Sequence, residues 1–361
     1  MKCFAFDLGK VLFNFDYGIA LKKIESKIGV PQEEIIHHLF YKNFADDFEK
    51  GLINAPQFYG KFKNTFKCSA SFNEFADIWC NIFSPNHNVI GLVERLSYIY
   101  PVYLISNINE LHFEHLHKNH PDVFSFFNGL VLSYKEKTIK PEKEIYQLLK
   151  NASGYRYEDI IYIDDRIDLI HKAKDLNLKC INFTGFNELL DELKLHDVVI
   201  PTEGEKTILE SLRSKILKSK NPLIVGVGNT DKSDDGAGIY LTEEIKNKTR
   251  LKTVSAGAAV ENYLGTITKH NPDLVIFIDC ASTPEPQTFG CFAPEAVADL
   301  PLRLTHDGSL RMIAEYLQNV SRSDILFLAI SGFDYSLGQD LSNPVRKQLK
   351  ILGNFFQKHF S

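Results

Sequence analysis

The stretch Gly226-Val227-Gly228-Asn229-Thr230-Asp231-Lys232-Ser233-Asp234-Asp235-Gly236-Ala237-Gly238 constrains this chain most. It follows the apolar run Leu223-Ile224-Val225 and leads into a helical pattern from Ile239 to Lys246. Strand, glycine turn and acidic helix start, in that order, put a carboxylate at the carboxyl edge of a sheet, where α/β folds place their sites. Asp235 stands out there. A side chain in such a turn is held by rigid backbone and still reaches solvent, which suits a metal ligand or a catalytic acid or base. Helix capping accounts for one Asp equally well. Two adjacent carboxylates, however, repel each other unless a cation or a proton sits between them.

A chain of 361 residues predicts one to three domains. Its net charge of -5 leaves no basic footprint for nucleic acid. The six cysteines are scattered without a C-x-x-C pair, which argues against a disulfide framework or a structural zinc site and for a reducing, cytoplasmic setting. Met1-Lys2 runs straight into a strand-like segment, so no signal peptide is expected, and no apolar run is long enough to span a bilayer.

The first half alternates strand and helix signals around one interruption. Cys3-Phe4-Ala5-Phe6 reads as a buried strand ending at Asp7. From Tyr17 to about Ser84 the pattern is helical and amphipathic, with little strand signal. Strand signals resume at Val102 to Ile105, Gly129 to Leu132, Ile160 to Ile163 and Lys179 to Phe183. An α/β domain with a helical insert after its first strand is therefore expected. Its strand ends carry Asp7, Ser106-Asn107 and Asp164-Asp165, and Lys140-Pro141 opens a helix between the last two.

That set suits phosphoryl transfer. Asp7 is placed to form an aspartyl-phosphate. Ser106 and Lys140 are placed to hold phosphate oxygens and offset their charge. Asp164 and Asp165 with Asp7 offer the oxygen ligands that Mg²⁺ prefers. Asp16 reads as a helix cap. His37-His38 lie at adjacent helical positions that do not share a face. His112, His115, His117 and His120 read as a solvated helix face, and Glu49-Lys50-Gly51 as a charged helix end with a glycine stop.

Over residues 1–199 the chain resembles the haloacid dehalogenase (HAD) superfamily of phosphatases. The resemblance rests on Phe6-Asp7-Leu8-Gly9-Lys10-Val11, Leu104-Ile105-Ser106-Asn107, Lys140-Pro141 and Tyr162-Ile163-Asp164-Asp165, in family order. It implies a Rossmann-like core with a small α-helical cap at about 16–85. It also implies a Mg²⁺-dependent phosphatase acting on a small phosphate ester such as a sugar phosphate. Asp7 would be the nucleophile, Ser106, Asn107 and Lys140 would bind substrate, and Asp7, the Gly9 carbonyl, Asp164 and Asp165 would hold the metal. One departure matters. The family's usual acid-base Asp, two residues after the nucleophile, is Gly9 here. A domain that binds a phosphometabolite without turning it over is the rival reading.

The second half begins after Val198-Val199-Ile200, which reads as a last short strand, and a charged linker helix within 200–220. Strand signals lie at Lys252 to Ala256, Leu274 to Ile278, Phe289 to Phe292 and Ile325 to Ile330, and helical ones at Leu310 to Val320 and Asn343 to Phe360. Asp235 follows the first strand, Asp279 ends a central strand and His306 precedes a helix. Two carboxylates and an imidazole suit a borderline divalent metal, although each also has an ordinary capping or packing role.

Residues 221–361 resemble the endopeptidases that mature nickel-iron hydrogenases. The matching residues are Gly226-Val227-Gly228-Asn229 with Asp234-Asp235-Gly236, Ala259-Val260-Glu261-Asn262, Phe277-Ile278-Asp279-Cys280 and Thr305-His306. The resemblance implies an α/β sheet flanked by helices, so that the whole chain has two three-layer α/β/α domains. It also implies contact of Asp235, Asp279 and His306 with Ni²⁺ carried by a hydrogenase large-subunit precursor, whose C-terminal extension is cut off. The family's Gly-Ile-Gln-Pro-like loop reads Ala329-Ile330-Ser331-Gly332-Phe333 here, which bears on the choice of precursor. G-x-S-x-G, H-E-x-x-H and an evident Cys–His pair are all missing, so serine, zinc and cysteine protease readings lack support. Nickel binding for delivery, without proteolysis, is the alternative.

Overall fold

A computed structural model describes residues 2–41, 45–282, 289–297 and 303–361. The chain divides into two compact units, Met1–Val198 and Val199–Ser361. In the first, β1 (Cys3–Phe6) is followed by two short strands, β2 (Phe13–Phe15) and β3 (Phe83–Pro85), and then by β4 (Val102–Ser106), β5 (Gly129–Leu132), β6 (Ile160–Asp164) and β7 (Lys179–Asn182). Among the described residues the main sheet has the order β5-β4-β1-β6-β7, and its pairs are parallel. Every residue of β1, β4 and β6 is buried, as expected of strands covered by helices on both faces.

The insert is a helical cap with its own aromatic core of Phe48, Phe58, Phe62, Phe75 and Trp79. Phe48 and Phe58 stack with ring centroids 4.4 Å apart. Local chemistry sets its helix ends. Asp16 caps Tyr17–Ile28 by accepting from the Gly18 amide, and Gly29 ends that helix at φ +69°, where a side chain would be strained. Asn54 with Gln57, and Ser71 with Glu74, form capping boxes. The expectation of an insert without strands is corrected at its base. There β2 and β3 pair antiparallel, with Phe15 opposite Phe83, and tie the two ends of the cap together. These strands are three residues long, too short for a period-2 signal.

Val198-Val199-Ile200, expected as a strand, joins no strand. The apolar triplet buries Val198 and Val199 without pairing. The helix expected as a linker runs over Glu203–Lys218 and falls inside the second unit. Its Leu209, Leu212 and Ile216 are buried. The second unit contains β8 (Pro222–Val227), β9 (Lys252–Gly257), β10 (Leu274–Ser282), β11 (Phe289–Phe292), β12 (Arg303–Leu304) and β13 (Asp324–Ser331). Among the described residues the order is β11-β13-β10-β8-β9, with β12 antiparallel to the far end of β10 and β11 antiparallel to β13. Helix Ala237–Lys248 packs on β8 and β9, and helix Asn343–Phe360 packs on both that helix and β13. The close helix–strand approach needs glycine. A Cβ on Gly238 would lie 2.2 Å from the Ile278 carbonyl oxygen and 2.3 Å from that of Val227. Asp279 does not end its strand as expected. β10 continues to Ser282 because β12 pairs with Ala281 and Ser282.

Candidate functional site

In the first unit, the carboxyl ends of β1, β4 and β6 are neighbours, so Asp7, Ser106 and Asp164 meet at one edge. One oxygen each from Asp7, Asp164 and Asp165 lies within 4.8 Å of the others. Lys140 Nζ donates to Asp7 Oδ1 at 2.7 Å, to Asp164 Oδ2 at 2.6 Å and to the Ile105 carbonyl at 3.2 Å. Asp164 also accepts from the Tyr162 hydroxyl and from the Arg166 amide. Lys140 is held from its backbone as well: its amide donates to Asn107 Oδ1 at 2.7 Å, and Asn107 Nδ2 donates to its carbonyl at 3.0 Å. The Asn107 side chain therefore fixes the lysine, a role its position after a strand end did not indicate.

Crowded charge shifts these groups. Burial pushes the Asp7 carboxyl up to about 6. The Lys140 ammonium opposes that rise and Asp164 adds to it. Asp165 is also raised, by burial and then by Asp164, against Lys10 and Lys140. For Lys140 burial acts downward, but Asp7 and Asp164 outweigh it and hold the ammonium above its usual range. Three clustered carboxylates facing one ammonium form an all-oxygen donor set with surplus negative charge, which fits a hard divalent cation such as Mg²⁺.

A small cavity of about 70 Å³ opens beside this cluster. It is lined by Leu8, Gly9, Phe15, Tyr17, Glu49, Phe83, Ser106, Asn107, Ile108 and His112. A Cβ on Gly9 would lie 3.0 Å from the Phe15 ring and 3.9 Å from Asp7 Oδ2, so the aromatic side chain crowds the space next to Asp7. One expectation changes here and a second is extended. His112 is buried rather than solvated. It stacks on Trp79, its Nε2 lies 3.1 Å from the Trp79 carbonyl, and burial lowers its pKa to about 3. Glu49, read only as part of a helix end, reaches the cavity from the cap.

In the second unit, Asp234 and Asp235 lie in a 3₁₀ turn, Ser233–Gly236, ahead of the helix. Their expected mutual repulsion is resolved by separate partners. Asp234 is fully buried and accepts from the amides of Phe333, Asp334 and Ser342 at 2.8, 2.9 and 2.7 Å. Its carboxylate thus clasps the loop after β13. Asp235 accepts from the Asn229 amide at 3.2 Å. Asp279 Oδ1 accepts from the Cys280 amide at 2.9 Å and from the Thr305 hydroxyl at 2.9 Å, and Asp279 Oδ2 accepts from the His306 amide at 3.2 Å. His306 Nδ1 lies 3.1 Å from Asp279 Oδ1. The hydrogen bond to Asp279 raises the His306 pKa, and Asp235 adds to the rise while partial burial opposes it. Thr305 and Asp234, quoted in the sequence only as neighbours of His306 and Asp235, thus each have a partner set of their own.

Asp279 and His306 are therefore a hydrogen-bonded pair, with Asp235 close enough to act on the imidazole. Among the described residues, these three do not bring one ligand atom each within 4.8 Å of one another. His306 Nδ1 also lies 2.9 Å from Thr305 Oγ1, so Asp279, Thr305 and His306 form one hydrogen-bonded group.

The fold and these sites define a chain of two α/β units, each with an acidic site at its sheet edge. The two halves are similar to two different sets of proteins. No protein-family model matches the chain. A Methanocaldococcus jannaschii protein named "putative hydrogenase maturation protease" is 24% identical over 158 residues, 40% of this chain and 89% of the relative. A HAD family enzyme from Bacteroides thetaiotaomicron, solved with magnesium and inorganic phosphate, is 27% identical over 50% of this chain and 93% of its own, with a TM-score of 0.47. The nickel-iron hydrogenase maturation protease HycI from Thermococcus kodakarensis is 24% identical over 41% of this chain and 97% of its own, with a TM-score of 0.35.

Proposed function

We propose that this chain is a bifunctional hydrolase. Its first unit releases phosphate from a small phosphate ester such as a sugar phosphate. Its second removes the C-terminal extension of a nickel-iron hydrogenase large-subunit precursor. For the first, the supporting observation is the cluster of Asp7, Asp164 and Asp165, with Lys140 Nζ paired to the first two. Asp7 attacks phosphorus and forms an aspartyl-phosphate, while Lys140 and the Ser106 hydroxyl hold phosphate oxygens. Asp7, the Gly9 carbonyl, Asp164 and Asp165 would hold Mg²⁺, which neutralises charge on the transferring group. The small cavity, with room for roughly five to seven waters at ~10–15 Å³ each, favours a small ester over a polymer.

For the second activity, the supporting observation is the Asp279–His306 pair beside Asp235. The name of the Methanocaldococcus jannaschii relative points the same way. In this reading Ni²⁺ arrives with the precursor, and Asp235, Asp279 and His306 meet it there. The loop clasped by Asp234 exposes Phe333, Tyr335 and Leu337, apolar surface suited to gripping a peptide tail.

The test is the intact mass of a nickel-loaded large-subunit precursor after incubation with the wild type and with Asp235→Asn. Loss of a C-terminal peptide with the wild type alone is expected. An unchanged precursor in both reactions overturns the endopeptidase reading. In parallel, sugar phosphates and p-nitrophenyl phosphate are assayed for Mg²⁺-dependent phosphate release that Asp7→Asn abolishes.

A further inference from the structure

From the geometry of the cap we infer that Glu49 is the general acid and base of the phosphatase site, in place of the carboxylate that Gly9 cannot supply. This rests on the phosphatase reading above. Gly9 offers no proton donor, and the Phe15 ring lies 3.0 Å from where its Cβ would stand, so a side chain there would crowd that ring. The proton must come from elsewhere in the cavity. Among the described cavity residues, the carboxylic acid is Glu49 and the other titratable side chains are Tyr17 and His112. Burial raises Tyr17 far above physiological pH and keeps His112 neutral down to about 3, with its ring between the Trp79 carbonyl and Asn109.

Glu49 is held in place rather than merely nearby. Its carbonyl accepts from Ser133 Oγ at 2.6 Å, and that buried hydroxyl also meets the amide and carbonyl of Ile108 in the core. Lys50 pairs with Glu142, and Lys137 Nζ donates to the Gly51 carbonyl. Gly51 sits at φ +64°, where a Cβ would stand 2.0 Å from the Tyr134 carbonyl oxygen, so this turn of the cap lies directly on the core. Among the described residues, no hydrogen bond or ion pair engages the Glu49 carboxylate. The charged groups that act on it are Asp46 on its own helix, Arg166 after β6 and Asp7 after β1. Burial pushes it up to about 7; Asp46 adds to the rise, Arg166 opposes it and Asp7 adds a smaller part. A carboxyl poised near neutrality can give a proton in one step and take one in the next.

The two steps balance. An Asp7 oxygen bonds to phosphorus as the ester P–O bond breaks, and the Glu49 proton passes to the departing alkoxide. Ionised Glu49 then takes a proton from water as its oxygen bonds to phosphorus. The Asp7–phosphate bond breaks, phosphate leaves, and Glu49 is again protonated.

The experiment uses the full chain with Mg²⁺. Wild type, Glu49→Gln, Glu49→Asp and Asp7→Asn are followed in rapid mixing with p-nitrophenyl phosphate and phenyl phosphate. Glu49→Gln is expected to lose ~10²–10⁴-fold in steady-state rate. It should still give a burst of about one equivalent of p-nitrophenolate, because that leaving group departs without a proton. No burst should appear with phenyl phosphate. Glu49→Asp keeps the acid and should regain part of the steady-state rate. A wild-type rate in Glu49→Gln overturns the assignment. So does loss of burst and turnover together in a variant that melts like the wild type, or a Glu49→Asp variant no faster than Glu49→Gln. If wild type shows no Asp7-dependent release, the phosphatase reading falls and this assignment falls with it.

Discussion

At the scale of single residues, both sites show carboxylates kept apart or held together by their partners. Asp234 spends its charge on three amides, while Asp7 and Asp164 share one ammonium. The Asp7 case carries a pH dependence. Its pKa rises from 3.8 to about 6 on folding, so the folded chain keeps a proton that the unfolded chain has already released. Its contribution to stability therefore falls as pH rises from 3.8 to about 6. A cation relieves that loss only where Asp7 is ionised. Mg²⁺ should thus raise the melting temperature of the first unit at pH 7.5 and leave it nearly unchanged at pH 5, as read by calorimetry. Equal shifts at both pH values would place the ion elsewhere. Asp279 raises the pKa of its partner as well: Asp279→Asn should lower the His306 pKa toward 6.5, followed by ring proton shifts in NMR.

At the scale of elements, the glycine-rich turn after β8 does two jobs. Gly238 lets helix Ala237–Lys248 lie against the carbonyls of Val227 and Ile278. Asp234 ties the turn to the loop that follows β13, across a sequence separation of about a hundred residues. Asp234→Ala leaves those amides without their acceptor, at roughly 1–3 kcal/mol for each one that stays buried. The expected outcome is faster hydrogen exchange over residues 333–342, with β8 and β10 still protected. Unchanged exchange in that loop would show that other contacts hold it.

At the scale of the whole molecule, each unit has its own sheet and its own buried core. Fragments 1–198 and 199–361 should therefore fold separately, each with one cooperative transition. In the full chain Mg²⁺ should move the transition of the first unit alone. A fragment that stays unfolded would show that its stability depends on the other half.

The sequence by itself determined the alternation of strands and helices, because fully buried parallel strands read as short apolar runs that stop at a polar residue. It determined the strand-end groups Asp7, Ser106, Asp164 and Asp235, since a chain leaving a parallel strand must turn at that edge. Closing helix Asn343–Phe360 was legible to the residue, from its amphipathic spacing. Only the tertiary structure decided what lay across large sequence separations. The β2–β3 pairing joins residues about seventy apart, and Lys140 reaches Asp7 from more than a hundred residues away. Burial of His112 against Trp79 and the meeting of Glu49 with Gly9 and Ser106 in one cavity depend on how the cap closes over the core. Local periodicity reports which face of an element is apolar; it carries no information about which distant element covers that face.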